Sequence, residues 1–168
     1  MRNVRLIVNG FPRDLAVNPH EMLLDTLRER VGLTGTKKGC EQGSCGSCTV
    51  ILEGTPVLAC LTPTLRCADK HILTIEGLEH ETRDIGGSET GAVSDSLHPV
   101  QRQMVEKGAI QCGYCTPGIV MTAVAFLKNV PDPSETEIRE ALSGNLCRCT
   151  GYAKIVQAVR AAAEELSR

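Results

Sequence analysis

Two short elbows carry the residues best suited to chemistry: Gln111-Cys112-Gly113-Tyr114-Cys115-Thr116-Pro117-Gly118 and Asn145-Leu146-Cys147-Arg148-Cys149-Thr150-Gly151. In each, the second cysteine precedes a threonine able to cap a following helix. The four thiols are therefore expected at helix N-termini, where free N–H groups and the dipole favour an anion. Thiolates gathered there would hold a metal centre. A structural zinc ion is one alternative, although zinc-binding pairs usually have about two to four residues between them. A single residue separates Cys147 from Cys149.

A second thiol set lies earlier, in Gly39-Cys40-Glu41-Gln42-Gly43-Ser44-Cys45-Gly46-Ser47-Cys48, with Cys60 following after eleven intervening residues. Four residues, then two, then a distant fourth cysteine is the plant-type [2Fe-2S] spacing. Gly39, Gly43 and Gly46 have a physical purpose in such a loop. Backbone N–H groups must turn toward the sulfurs, which takes close approach and unusual torsions; Gly113 serves the second elbow in the same way. The bacterial four-iron run ending in Cys-Pro is absent, and no histidine follows a cysteine at the spacing of a Rieske centre. Candidate ligands are thus Cys40, Cys45, Cys48 and Cys60 for one centre, and Cys112, Cys115, Cys147 and Cys149 for the other. The ninth cysteine, Cys67, is assigned no role, since a lone cysteine is most often a small buried hydrophobe.

The elements that must position these thiols can be read from the chain in order. Residues 4–8 and 13–17 flank Asn9-Gly10, a dipeptide suited to the positive φ angles of a tight hairpin. Asn18-Pro19-His20-Glu21 combines a cap, a proline at the first helical position and a glutamate three places after the cap. A helix is predicted to follow, with a stripe from Met22, Leu23, Leu24, Leu27 and Val31, stopping at Gly32. Strand, turn, strand, helix is the opening of a ubiquitin-like grasp. A hairpin turning at Glu53-Gly54 should lead to Cys60, and residues 72–75 read as the last strand. Residues 77–95 are polar and glycine-rich and read as a linker. Beyond it, helices are predicted over 98–107, 117–129, 134–142 and 152–166, with Ser134 and Glu137 forming a capping box. The expectation is an α+β chain of two domains, 1–76 and 96–168, the second an antiparallel bundle with both elbows at one end. Each quartet is expected to staple its own small domain, offsetting a modest core.

Composition excludes other roles. The net charge of −2 divides into +1 for residues 1–76 and −3 for 77–168, so neither half suits a polyanion. Four aromatic residues in the whole chain offer no stacking platform for nucleic acid. No apolar run reaches membrane length and no export signal precedes the first strand, so a cytoplasmic protein without membrane insertion is expected. In that compartment thiols stay reduced, which favours metal ligation over disulfides.

Taken in order, the plant-type quartet, the Gln111–Gly118 elbow and the Gly144–Tyr152 elbow resemble the small iron–sulfur subunit of the xanthine oxidase family of molybdenum hydroxylases. The resemblance covers nearly the whole chain. It implies a ferredoxin-like N-terminal β-grasp domain and a C-terminal four-helix bundle, each with one [2Fe-2S] cluster. It also implies a large partner subunit holding a molybdopterin-type molybdenum cofactor, a flavin subunit with FAD, and assembly as a dimer of heterotrimers. Gln111 matches a glutamine that contacts the pterin in relatives, and Cys149 matches the ligand closest to it. The C-terminal cluster would then face molybdenum and the N-terminal cluster the acceptor, with the substrate chemistry on another chain. Two rival readings are a free-standing two-cluster ferredoxin, which would expose a charged docking face, and a zinc-stabilised interaction module, which would be colourless.

Overall fold

A computed structural model of the chain describes residues 1–79 and 97–167. Most of the expected 77–95 linker, with His80, lies outside the described residues. The N-terminal half is a five-stranded mixed sheet in the order β2-β1-β5-β3-β4. Its strands are β1 (Arg2–Val8), β2 (Phe11–Val17), β3 (Thr49–Leu52), β4 (Thr55–Leu58) and β5 (His71–Leu73). Strands β1 and β2 pair antiparallel from Arg2↔Val17 to Val8↔Phe11. The turn between them has φ of 52° at Asn9 and 83° at Gly10, the left-handed torsions that a right-twisted hairpin requires. Parallel pairing of β5 with β1 closes the grasp.

The first helix departs from the sequence-based expectation. It begins at Met22, with no side-chain cap, as a single α turn (α1, Leu23–Asp25) that continues as a π turn over Thr26–Arg30. The Glu21 carboxylate accepts from Asn18 N–H at 3.3 Å, as half of a capping box would, but its main partner is Arg30, at 2.5 and 2.6 Å. Thr26 is likewise drawn into buried hydroxyl contact with Thr64 at 2.7 Å. These polar demands override the ideal cap, while Leu23, Leu24 and Leu27 still bury completely and Gly32, at φ 81°, ends the turn.

That ion pair has a pH signature. The Arg30 guanidinium, helped by the Thr26 hydroxyl and Asn18 N–H, holds the largely buried Glu21 carboxyl at about 2, below its ordinary 4.5. A lowered folded-state pKa stabilises above the unfolded value and is lost as pH falls through the folded one. Stability should therefore be flat above about pH 5 and drop by on the order of 2 kcal/mol toward pH 2. Glu21→Gln should lower the plateau and remove most of that slope in denaturant titrations at several pH values; an unchanged slope would assign the acid sensitivity elsewhere.

The C-terminal half supplies α2 (Pro99–Glu106), α3 (Thr116–Asn129), α4 (Glu135–Ala141) and α5 (Ala153–Leu166), within a few residues of the expected spans. His98 caps α2 and Ser134 caps α4 in full capping boxes, Ser134 with Glu137 as expected. The predicted threonine caps are not found. Cys115 itself is the N-cap of α3, with Thr116 inside the helix, and Tyr152 is the N-cap of α5 in a left-handed conformation. Thr150 instead accepts from Tyr152 N–H and contacts the Cys147 thiol, so its hydroxyl serves the elbow rather than the helix.

The halves share their interior. One core gathers Val4, Leu6, Val8, Leu23, Leu27, Val50 and Ile72. The other gathers Val100, Met104, Ile119, Val124, Ile138, Ile155 and Val159 from the helices, but it also takes in Ile51 and Leu78, with Leu73 and Ile75 packed against it. Alternation along β3 thus sends Val50 to one core and Ile51 to the other, and the helical half covers the second face of the sheet. Burial of Ile51 alone contributes about 2 kcal/mol to joining the halves.

Candidate metal centres

The first site is built on the loop between α1 and β3. Cys40 Sγ accepts from Ser44 N–H at 3.3 Å. Backbone N–H groups of Gln42, Cys45 and Ser44 together hold the Cys40 thiol at about 6, well below its usual value. They converge because the chain repeatedly enters left-handed torsions, at Glu41 (φ 56°), Gly43 (80°) and Gly46 (69°). At Gly39 a β-carbon would come within 2.8 Å of Cys45 Sγ, so the backbone there passes directly beside a candidate ligand. The β3–β4 hairpin explains the distant fourth cysteine. Thr49 pairs with Leu58, Cys48 O accepts from Ala59 N–H at 3.2 Å, and Cys60 is thereby returned beside Cys48. Both are buried, and burial pushes the Cys48 thiol up to about 12.

The second site joins the elbow before α3 to the elbow before α5. Cys112 and Cys149 are exposed, with their sulfurs 3.7 Å apart. Cys115 and Cys147 lie deeper. Burial, then the neighbouring Cys147 thiol, pushes Cys115 up to about 12. Burial also opposes the Cys147 thiolate, yet the Thr150 hydroxyl and N–H and the Cys149 N–H outweigh it and hold Cys147 below its usual value. Cys147 N–H donates to the Tyr152 phenol at 2.7 Å, which fixes the second elbow to the start of α5. Gly113 stands at φ 82° in open space, so torsion rather than room requires glycine there.

Each quartet is arranged as two thiol pairs: Cys40 with Cys45 and Cys48 with Cys60 in one, Cys112 with Cys149 and Cys115 with Cys147 in the other. Among the described residues, no three cysteine, histidine or acidic side chains converge as ligands of one ion would. Two thiolates for each of two irons is the donor set of a [2Fe-2S] core, and both sites fit it. In each the pairs differ in depth, an outer pair toward solvent and an inner pair toward the core.

Other candidates fall into place around these sites. Gln111 is exposed, next to the outer pair of the second site. Lys38, two residues before Cys40, is held by Asp25 at 3.1 Å and Glu41 at 2.8 Å, which largely neutralise it. Lys37 donates to the Thr34 carbonyl. Cys67 is buried, with a thiol raised by desolvation, and belongs to the core.

Sequence reasoning missed the contact between the two sites. Leu146 N–H donates to Cys45 O at 2.9 Å, the buried Asn145 amide donates to Gly46 O at 3.1 Å, and the Tyr114 phenol donates to Lys38 O at 2.6 Å. Gly118 faces Gly46 and Ser47 so closely that a β-carbon on it would meet Ser47 Cα at 2.9 Å. The apolar run Val50-Ile51-Leu52 was the available signal, because a strand covered on both faces reads as continuous rather than alternating.

Comparison with known proteins agrees with this architecture. Residues 6–70 match the family described as a 2Fe-2S iron–sulfur cluster binding domain, and residues 74–160 match the [2Fe-2S] binding domain family. The chain is 46% identical to the nicotinate dehydrogenase small FeS subunit of Eubacterium barkeri over 161 residues, covering 96% of this chain and 94% of the relative. Quinoline 2-oxidoreductase from Pseudomonas putida 86 contains a chain of the same fold, with TM-score 0.86 and 43% identity, covering 99% of this chain and 96% of that one. Aldehyde oxidoreductase from Desulfovibrio desulfuricans superposes with TM-score 0.88 and 40% identity over 99% of this chain, which spans 17% of that longer polypeptide. None of the described helices is long and apolar enough to cross a membrane.

Proposed function

This chain belongs to the small iron–sulfur subunits of the xanthine oxidase family of molybdenum hydroxylases, and from that premise we infer that it carries electrons singly between a molybdopterin site on a large partner subunit and a flavin or other acceptor. The observation that carries the reading is the presence, in one chain, of two thiol quartets each divided into an outer and an inner pair. When bound, the two [2Fe-2S] clusters supply one-electron storage between two-electron sites. Cys40, Cys45, Cys48 and Cys60 would hold one, and Cys112, Cys115, Cys147 and Cys149 the other. The protein's share is to orient the thiols, shield the inner pairs from water and aim N–H donors at sulfur, which tunes each potential.

The exposed pair Cys112 and Cys149, with Gln111 beside it, forms the face suited to the molybdenum subunit and a pterin contact. The Gly39–Cys48 loop faces the acceptor, most naturally FAD on a flavin subunit, within a cytoplasmic dimer of heterotrimers. Relatives of similar identity are named for nicotinate, quinoline and aldehydes, which supports substrate choice residing on another chain. Iron and acid-labile sulfide analysis should give about four of each per chain, without stoichiometric zinc, and two distinct reduced paramagnetic signals. A single signal, or a colourless zinc protein, would sink the reading. In the assembled complex, Gln111→Ala should weaken cofactor retention by about 1 to 3 kcal/mol if a pterin group is left unpaired. The N-terminal signal should not change; an effect confined to the acceptor side would reverse the wiring.

A further inference from the structure

The second elbow carries a side-chain hydroxyl aimed at a thiol. Thr150 Oγ1 lies 3.1 Å from Cys147 Sγ, and the same oxygen accepts from Tyr152 N–H at 3.3 Å. Together the two contacts decide where the hydroxyl hydrogen points. A metal-ligating thiolate has no proton to give, so whenever Cys147 holds metal the hydroxyl is the donor and the sulfur the acceptor. The Tyr152 N–H occupies a lone pair of the oxygen and leaves its O–H for the sulfur.

The chain is shaped to keep that oxygen in place. Gly151 and Tyr152 both stand at φ 68°, one left-handed residue after another. For a tyrosine this conformation is costly and persists only where the surroundings impose it. Ala153 N–H closes on Gly151 O at 2.9 Å, and the Tyr152 phenol accepts from Cys147 N–H at 2.7 Å. The reversal thus brings the Tyr152 N–H back to Thr150, while the ring of the same residue anchors the peptide of the candidate ligand. Thr150, Cys147 and Tyr152 are all half-buried. Away from bulk water a donor acts on a neighbouring negative charge more strongly than it does at the surface. At the first site Cys40 Sγ accepts from a backbone N–H, that of Ser44. A backbone donor is set by the fold, whereas the Thr150 hydroxyl depends on one side chain.

We propose that Thr150 tunes the reduction potential of the second site, raising it by donating its hydroxyl to Cys147 Sγ, with the Tyr152 N–H orienting that oxygen. The inference rests on the reading of the second quartet as [2Fe-2S] ligands. Reduction adds one electron, supplied from the molybdopterin site, and negative charge on the sulfurs grows. A donor aimed at sulfur therefore stabilises the reduced form more than the oxidised one. The hydroxyl hydrogen stays on its oxygen, and no covalent bond forms or breaks.

The test is a redox titration of the intact complex, following the paramagnetic signals of both reduced clusters; the C-terminal signal is the one that Cys115→Ser abolishes. Thr150→Val keeps the shape of the side chain without its hydroxyl, and Thr150→Ser keeps the hydroxyl. In Thr150→Val the reduced-to-oxidised ratio of the C-terminal signal at a fixed potential should fall about tenfold, a downward shift of about 59 mV for one electron. Thr150→Ser should restore most of that shift, and the N-terminal midpoint should stay where it is in both variants. An unmoved C-terminal midpoint in Thr150→Val, or an equal shift in Thr150→Ser, would overturn the proposal. So would a parallel shift of both signals, which a loosened fold would produce. Should valine cost the cluster, Thr150→Ala carries the same expectation; loss of the cluster in both would make the hydroxyl a requirement for binding and overturn its role in tuning. Absence of two clusters from the unsubstituted complex would instead refute the functional reading beneath it.

Discussion

Gly46→Ala is expected to lower the stability of the chain by about 2 to 5 kcal/mol, combining left-handed strain with overpacking. Gly46 stands at φ 69°, and a β-carbon there would meet the Asn145 amide nitrogen at 2.6 Å and Asn145 Cα at 3.0 Å. Backbone on the facing elbow cannot move aside as a flexible side chain would, so the two cluster loops must separate. Against a total stability of about 5 to 15 kcal/mol, such a loss lowers the melting temperature by roughly 5 to 15 °C. Gly54→Ala provides the control, because φ there is 79° but nothing lies within 4 Å of the added carbon. It should cost only the strain, about 1 to 2 kcal/mol. Calorimetry of the two variants separates the terms, and equal destabilisation would mean that contact between the loops contributes nothing.

Cys115→Ser should remove the C-terminal cluster and leave about two irons per chain instead of about four. Cys115 belongs to the inner thiol pair of the proposed site, packed against the helical core and forming the N-cap of α3, so its loss should loosen the bundle as well as the site. From sequence alone the damage should stop at the domain boundary. The contacts of Leu146 with Cys45 and of Asn145 with Gly46 give a different expectation. Hydrogen exchange at residues 45–49 should quicken in Cys115→Ser even while the N-terminal paramagnetic signal persists. Unchanged protection there would restore the picture of two independent units.

Much of the site was legible because its determinants are local. The Asn9-Gly10 turn, the Glu53-Gly54 turn and the Ser134 capping box each act within a few residues, and each stands where the sequence places it. The first helix was misread because Asn18-Pro19-His20-Glu21 satisfies the local rules of a cap while Glu21 is claimed by Arg30, nine residues on. Thr150 failed for a related reason, since its hydroxyl goes to the Cys147 thiol and the Tyr152 N–H, whereas Thr116 lies one position inside the helix that Cys115 caps. The pairing of thiols by depth and the glycine contact between loops depend on how the halves dock, which no short window of sequence contains.

The two-faced sheet has a consequence for anyone wishing to graft this cluster site elsewhere. A fragment ending near residue 76 contains every thiol of the first quartet and looks like a self-contained ferredoxin, yet Ile51, Leu73 and Ile75 would lose the helices that cover them. Transplanted alone, it would carry a sticky side and would need either a redesigned polar face or a substitute cap. The smallest unit that keeps both faces of the sheet covered therefore joins the two halves, with the helical half serving as roof to the sheet as well as carrying the second thiol quartet.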